Sequence, residues 1–179
     1  MTQSRHPGRM LGSLAGMLWL AGGTVTGRGR RRVERETRQQ AGRFLDRLER
    51  KDAAAIVEML HPEVTFTHPL SLSGRRADAG RWEGRDQVLG YLDGAFTMMG
   101  RIRFANRRTS VVAGGATAFV QADGDLTTAD GRLYQNVYVF RIDWCGERIV
   151  AVEEYANPLT FCLTFDNPLC AGRTAAAAS

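Results

Sequence analysis

After Gly100 the chain runs through four stretches in which apolar and polar residues alternate: RIRFANRRTSVV, TAFVQADGDLTT, RLYQNVYVFRIDW and RIVAVEEYA. Turn signals at Gly114-Gly115, Asp130-Gly131 and Cys145-Gly146 separate them. A period of two with short connections predicts an antiparallel meander with one face buried. The residues before it have a different period. From Val33 to about Leu60 the pattern is helical, with Phe44, Leu45 and Leu48 recurring among Arg, Glu and Gln up to Lys51-Asp52. Asp52 is placed to cap a second short helix over Ala53–Leu60. Val64–His68 reads as a short strand closed by Pro69, and Ser71–Gly80 as a polar loop long enough to act as a lid. WEGRDQVLGYLDGAF predicts a third helix from about Arg85 to Phe96. Three helices followed by a meander give an α+β order rather than βαβ units, and a strongly bent sheet of this kind can enclose a cavity.

Charge excludes one class of function. Residues 1–32 carry Arg5, Arg9, Arg28, Arg30, Arg31 and Arg32 and no acid, which leaves the other 147 residues near −1 although the whole chain is +5. The expected division is a basic segment at 1–32, one folded domain at 33–165 and a small-residue tail at 166–179. With no basic surface interleaved with aromatics on the fold, nucleic acid is not an expected partner. Arg5 and Arg9 precede the apolar stretch Met10–Gly23, a signal-like arrangement too short and Gly-rich to span a bilayer. The expected location is the cytoplasm; the alternative is export or membrane anchoring through residues 1–32. Cys145, Cys162 and Cys170 are odd in number and lack metal-ligand spacing. They are expected as core or near-surface thiols rather than a zinc site or disulfide framework. No phosphate-binding glycine loop is present, and no nucleotide, flavin or metal cofactor is expected.

The stretch GRFLDRLERKDAAAIVEMLHPEVTFTHPL resembles the opening of ketosteroid isomerases, and GRDQVLGYL resembles their third helix. DGRLYQNVYVFRID and ERIVAVEEYANP are similar to the last two strands of SnoaL-like polyketide cyclases. The resemblance, from about Glu34 to Phe161, is to the nuclear transport factor 2-like superfamily. It implies a cone of three N-terminal helices packed on a strongly curved antiparallel sheet around an apolar pocket. One such fold hosts many reactions, so function has to be argued from the pocket.

Alternation places Tyr134, Asn136, Tyr138 and Phe140 on one strand face and Gln135, Val137, Val139 and Arg141 on the other. Glu154 shares a face with Val152 and Ala156; Phe119, Gln121 and Asp123 go together on their own strand. The resemblance puts His68 where the isomerases carry their proton-abstracting carboxylate, and an imidazole there can serve as base near neutral pH. It puts Phe44 in place of their first-helix tyrosine, and Tyr138, whose hydroxyl can donate, in place of their protonated acid. Glu154 falls where limonene epoxide hydrolases carry an aspartate and phenazine-biosynthesis relatives a glutamate. Asp123 matches a second acid of those hydrolases, whose bridging arginine is Gln121 here. Two acids facing one apolar cavity would split into proton donor and base. Trp82, Tyr91, Phe96, Met98 and Met99 are candidate wall, suited to a flat hydrophobic ligand.

These expectations converge on a cofactor-independent enzyme that cyclises, isomerises or rearranges a hydrophobic carbonyl compound. His68, Glu154, Tyr138 and Asp123 are its candidate catalytic groups. Asn136, Gln121, Phe44, Trp82, Tyr91, Tyr134 and Phe140 are its candidate binding residues. The alternatives are a non-catalytic binding or dimerisation module and an epoxide hydrolase. A homodimer is expected through the outer sheet face.

Overall fold

The structure is a computed structural model, and it describes residues 27–112 and 114–168. The signal-like stretch Met10–Gly23 therefore lies outside the described residues. The first helix, α1, runs Gly27–Glu49 and buries Thr37, Ala41, Phe44, Leu45 and Leu48 at spacings of three and four. It begins six residues before the expected start at Val33. Ion pairs one turn apart, Arg30 to Glu34 at 3.1 Å and Arg32 to Glu36 at 3.7 Å, support the added turns. Lys51, in the left-handed region at φ 55, turns the chain into α2, Ala53–Met59. The Asp52 carboxylate caps α2 by accepting the Ala55 amide at 2.9 Å.

Strand β1, Leu60–His68, leads through a short 3-10 turn at Arg76–Asp78 to β2, Gly80–Glu83, and then α3, Gly84–Met98. The meander follows as β3 Phe104–Val111, β4 Thr117–Thr127, β5 Leu133–Cys145 and β6 Arg148–Ala156. The six strands form one sheet in the order β2-β1-β6-β5-β4-β3. All neighbours pair antiparallel except β1 and β6, which are parallel with Phe66 opposite Val152. The sheet is therefore mixed, where the sequence suggested a purely antiparallel one. The α2 link sends β1 back beside the last strand, a long-range pairing that local pattern does not encode.

Curvature has local causes. The β3–β4 register shifts between Ala105 and Arg108, where Asn106 adopts φ 50, and the β5–β6 register shifts between Asp143 and Trp144. Extra residues on one strand bend a sheet and increase its twist. At mid-strand Gly124, a Cβ would stand 2.3 Å from Tyr138 Cε2, so the missing side chain makes the space in which the Tyr138 ring lies. Helices α1, α3 and α4 cover the concave face, packing on β3 and β4, on β1 and β2, and on β5 respectively. The core between the layers includes Phe44, Leu45, Phe66, Val120, Phe140 and Ile142, all 1% exposed or less.

The fourth helix, α4 at Pro158–Thr164, was not expected. Its signal is present in the sequence: Asn157 accepts the Leu159 amide at 3.0 Å as N-cap, and Pro158 takes the first helical position. Cys162 on this helix is buried and disulfide-bonded, which corrects its expected place among the free thiols; Cys145 is free and exposed. No described helix is long and apolar enough to cross a membrane.

Candidate active site

Between the helices and the concave face lies a cavity of about 280 Å³. Most of its wall is apolar, including Leu48 from α1, Phe96 and Met99 at the end of α3, Phe104, Leu126 and Phe161. The polar side chains are Glu154, His68, Tyr91, Tyr134, Tyr138 and Asn157, the last engaged as the N-cap of α4. Each has a fixed origin. His68 ends β1 and Glu154 sits on the adjacent β6, one pair beyond the Thr67–Glu153 match. Tyr91 comes down from α3, one turn after buried Val88, while Tyr134 and Tyr138 are alternate inward positions of β5.

Glu154 Oε2 stands 3.7 Å from His68 Nε2, and the Tyr91 hydroxyl is 2.7 Å from the same nitrogen. Burial, then the Glu154 charge, pushes the Tyr91 phenol well above its ordinary range. Tyr91 therefore keeps its proton at neutral pH, and the 2.7 Å hydrogen bond holds the phenol against the imidazole. At 3.7 Å the carboxylate is beyond hydrogen-bonding distance and remains directed at the cavity. The neighbouring Glu153, not Glu154, accepts the Arg141 guanidinium, at 3.1 Å.

The two β5 tyrosines form the other half of the polar end. Burial, then the neighbouring Tyr134 phenol and the Glu154 carboxylate, raises Tyr138. Burial also raises Tyr134, opposed by hydrogen bonds from Tyr138 and from Asn136, whose Nδ2 donates at 3.0 Å. Accepting two hydrogen bonds leaves the Tyr134 proton as the free donor of the group and polarises it.

All three cavity phenols hold their protons more tightly than free tyrosine, so the folded chain retains protons that the unfolded chain releases above about pH 10. The stability linked to them is fully present below that pH. It declines as pH rises further, by up to about 1.4 kcal/mol per pH unit for each phenol. Tyrosinate absorbance of Tyr91, Tyr134 and Tyr138 is expected to stay silent until alkaline unfolding and then rise in one step with loss of the far-ultraviolet circular dichroism. Gradual titration of all four tyrosines near pH 10 in folded protein would contradict this arrangement.

The SnoaL-like domain model covers residues 41–152. The chain belongs to the SnoaL-like domain family. No curated protein sequence matches it. Solved structures share the fold. A protein from Bacillus subtilis named as a candidate isomerase has 20% identity and a TM-score of 0.64, over 76% of this chain and 95% of its own. A phenazine biosynthesis-related protein from Pseudomonas aeruginosa has 13% identity and a TM-score of 0.66, over 79% and 92%. A candidate polyketide cyclase from Xanthomonas campestris has 14% identity and a TM-score of 0.62, over 74% and 98%. At these identities the likeness is one of fold.

Several expected residues of this SnoaL-like domain lie elsewhere. Asp123 and Gln121 are exposed on the outer face, where Asp123 accepts from Asn106 Nδ2 at 2.8 Å. Their β5 partners are Val137 and Val139, outward positions, whereas Ala122 and Gly124 face inward opposite Tyr138 and Asn136. The two-acid cavity expected for an epoxide hydrolase is therefore not assembled. Asn136 faces inward but is fully committed. Its amide donates to Tyr134 and to Asn157 O, and its oxygen accepts the Val137 and Asn157 amides. It ties β5 to the start of α4 and does not line the cavity. Phe44 and Phe140 are core rather than wall. Trp82 stacks on Tyr91 at 4.0 Å and meets the His68 ring edge-on at 5.2 Å, supporting the wall from behind. Leu70, just before the expected polar loop, Leu72 within it and Phe161 of α4 also line the cavity and were not expected there.

Proposed function

We propose that this SnoaL-like domain is a cofactor-independent enzyme that isomerises, cyclises or rearranges a hydrophobic carbonyl compound by acid–base chemistry of its own side chains. The observation that carries the reading is the convergence of Glu154, His68 and the Tyr134–Tyr138 pair at one end of an otherwise apolar cavity. Glu154 is the proton acceptor in this reading, because His68 Nε2 is engaged with the Tyr91 hydroxyl while the carboxylate faces the cavity. The carboxylate takes a proton from the carbon next to the carbonyl, and that C–H electron pair shifts to form an enolate. The Tyr134 hydroxyl donates to the enolate oxygen, with Tyr138 and Asn136 holding it in place. The enolate then recaptures the proton from Glu154 at another carbon, or it attacks a second carbonyl carbon, whose π pair moves to its oxygen and takes the proton from Glu154. A water-poor cavity strengthens each of these interactions.

Metabolite profiling of the source strain tests the reading by comparing the parent with a chromosomal Glu154→Gln mutant and a full deletion. The expected result is the same accumulated intermediate in both. A change in the deletion alone would replace the enzyme with a binding module of the same fold.

The partner we propose for the outer sheet face is a second copy of this chain. Leu133, Val137 and Phe119 stand there 65%, 63% and 37% exposed. Light scattering at micromolar concentration is expected to give twice the 19.8 kDa chain mass; a monomer mass would overturn the assignment.

A further inference from the structure

Among the described residues that line the cavity there is one carboxylate, Glu154, and no permanently cationic side chain, neither lysine nor arginine. Neighbouring cations are engaged elsewhere. Lys51 donates to the Phe96 and Met99 carbonyls, Arg107 joins Asp46 and Glu49, and Arg101 pairs with Asp125. His68 Nε2 is taken up by its 2.7 Å hydrogen bond with the Tyr91 hydroxyl. The Glu154 carboxylate acts on all three phenols and contributes to raising each of them, so its field covers the whole polar end. The groups that remain to meet a ligand are neutral hydroxyls, one carboxylate and apolar wall.

We infer that this cavity selects uncharged ligands bearing a hydroxyl, ketone or ester oxygen and rejects the corresponding carboxylic acids. The inference rests on the reading of Glu154 as the working carboxylate and adds a charge criterion to it. A ligand carboxylate would lose its hydration on entry, find no cation to replace it and face Glu154 across a low-dielectric space. Rejection of this kind is achieved by an unpaired repulsive charge rather than by shape, so an acid and its methyl ester of nearly equal size should be separated. The volume lies near the lower end of small-molecule cavities, roughly 300–1,000 Å³, which suits a ligand of about two fused rings.

The test is calorimetric titration of the full chain at neutral pH with methyl 2-naphthoate and with 2-naphthoic acid. The ester is expected to bind, and the acid to bind at least about tenfold more weakly. In Glu154→Gln the gap should close through a gain by the acid, while Asp123→Asn on the outer face should leave it unchanged. Equal binding of acid and ester to the unmodified protein would overturn the inference, as would a gap that survives Glu154→Gln. Failure of both probes to bind would remove the cavity as a ligand site, and the proposed function with it. Ester-selective binding without a Glu154-dependent intermediate in the metabolite profile would keep the charge criterion and reject the enzymatic role.

Discussion

Replacing Glu154 with glutamine is expected to lower turnover of the accumulated intermediate by about 10²- to 10⁴-fold, with the loss in kcat rather than KM. The amide matches the carboxylate in size, so the wall keeps its shape and the ligand its contacts. It has no basic oxygen with which to take a proton. In barrier terms the loss is about 3–5 kcal/mol. The Glu154 side chain is 17% exposed and has His68 as its partner at 3.7 Å, so the fold does not lean on it. Thermal unfolding of the variant should therefore track the parent. A variant that keeps parental turnover would show that the carboxylate is not the base. One that loses turnover only because it melts early would show that Glu154 is structural.

Phe140→Ala is expected to be the most damaging of the core truncations near the site, costing about 3–5 kcal/mol. The ring is fully buried, packed edge-on against Phe104 at 5.2 Å and parallel to Tyr138 at 5.7 Å. It sits opposite Val120 on one side and Glu154 on the other, directly beneath the polar end of the cavity. Truncation removes the apolar contacts and leaves a void that a rigid sheet cannot close. The melting temperature should fall by roughly 10 °C or more, measured by calorimetry. A shift of only a degree or two would mean that the Phe104–Phe140–Tyr138 cluster is not the support described here. Phe140→Leu, which keeps most of the volume, should recover much of the loss.

The two experiments probe residues of different legibility. Alternation along YQNVYVF was enough to put Tyr134, Tyr138 and Phe140 on a single face, because each residue reverses direction relative to the last. Asp52 as a cap and the buried stripe of α1 followed in the same way from local geometry. Asp123 could have followed too. Its expected inward place came from the resemblance, whereas the strand's own alternation, with Ala118, Val120, Ala122 and Leu126 on one face and Gln121, Asp123 and Asp125 on the other, already puts it outward, as the pairing shows. Asn136 shows a different limit. Its inward direction was readable, yet two of its four hydrogen bonds go to Asn157, the N-cap of α4, 21 residues later in the chain.

For this protein, then, the sequence by itself determined the order of three helices and a meander, the inward side of β5 and the nearly neutral charge of the body beneath a basic N-terminal segment. These rest on periods of 2 and 3.6 residues and on composition, which short stretches of chain carry on their own. Only the tertiary structure decided the parallel β1–β6 pairing and the meeting of Tyr91, His68 and Glu154. Those three residues come from α3, β1 and β6, separated by up to 86 positions in the chain, and their encounter depends on sheet register and helix packing, which no local pattern specifies.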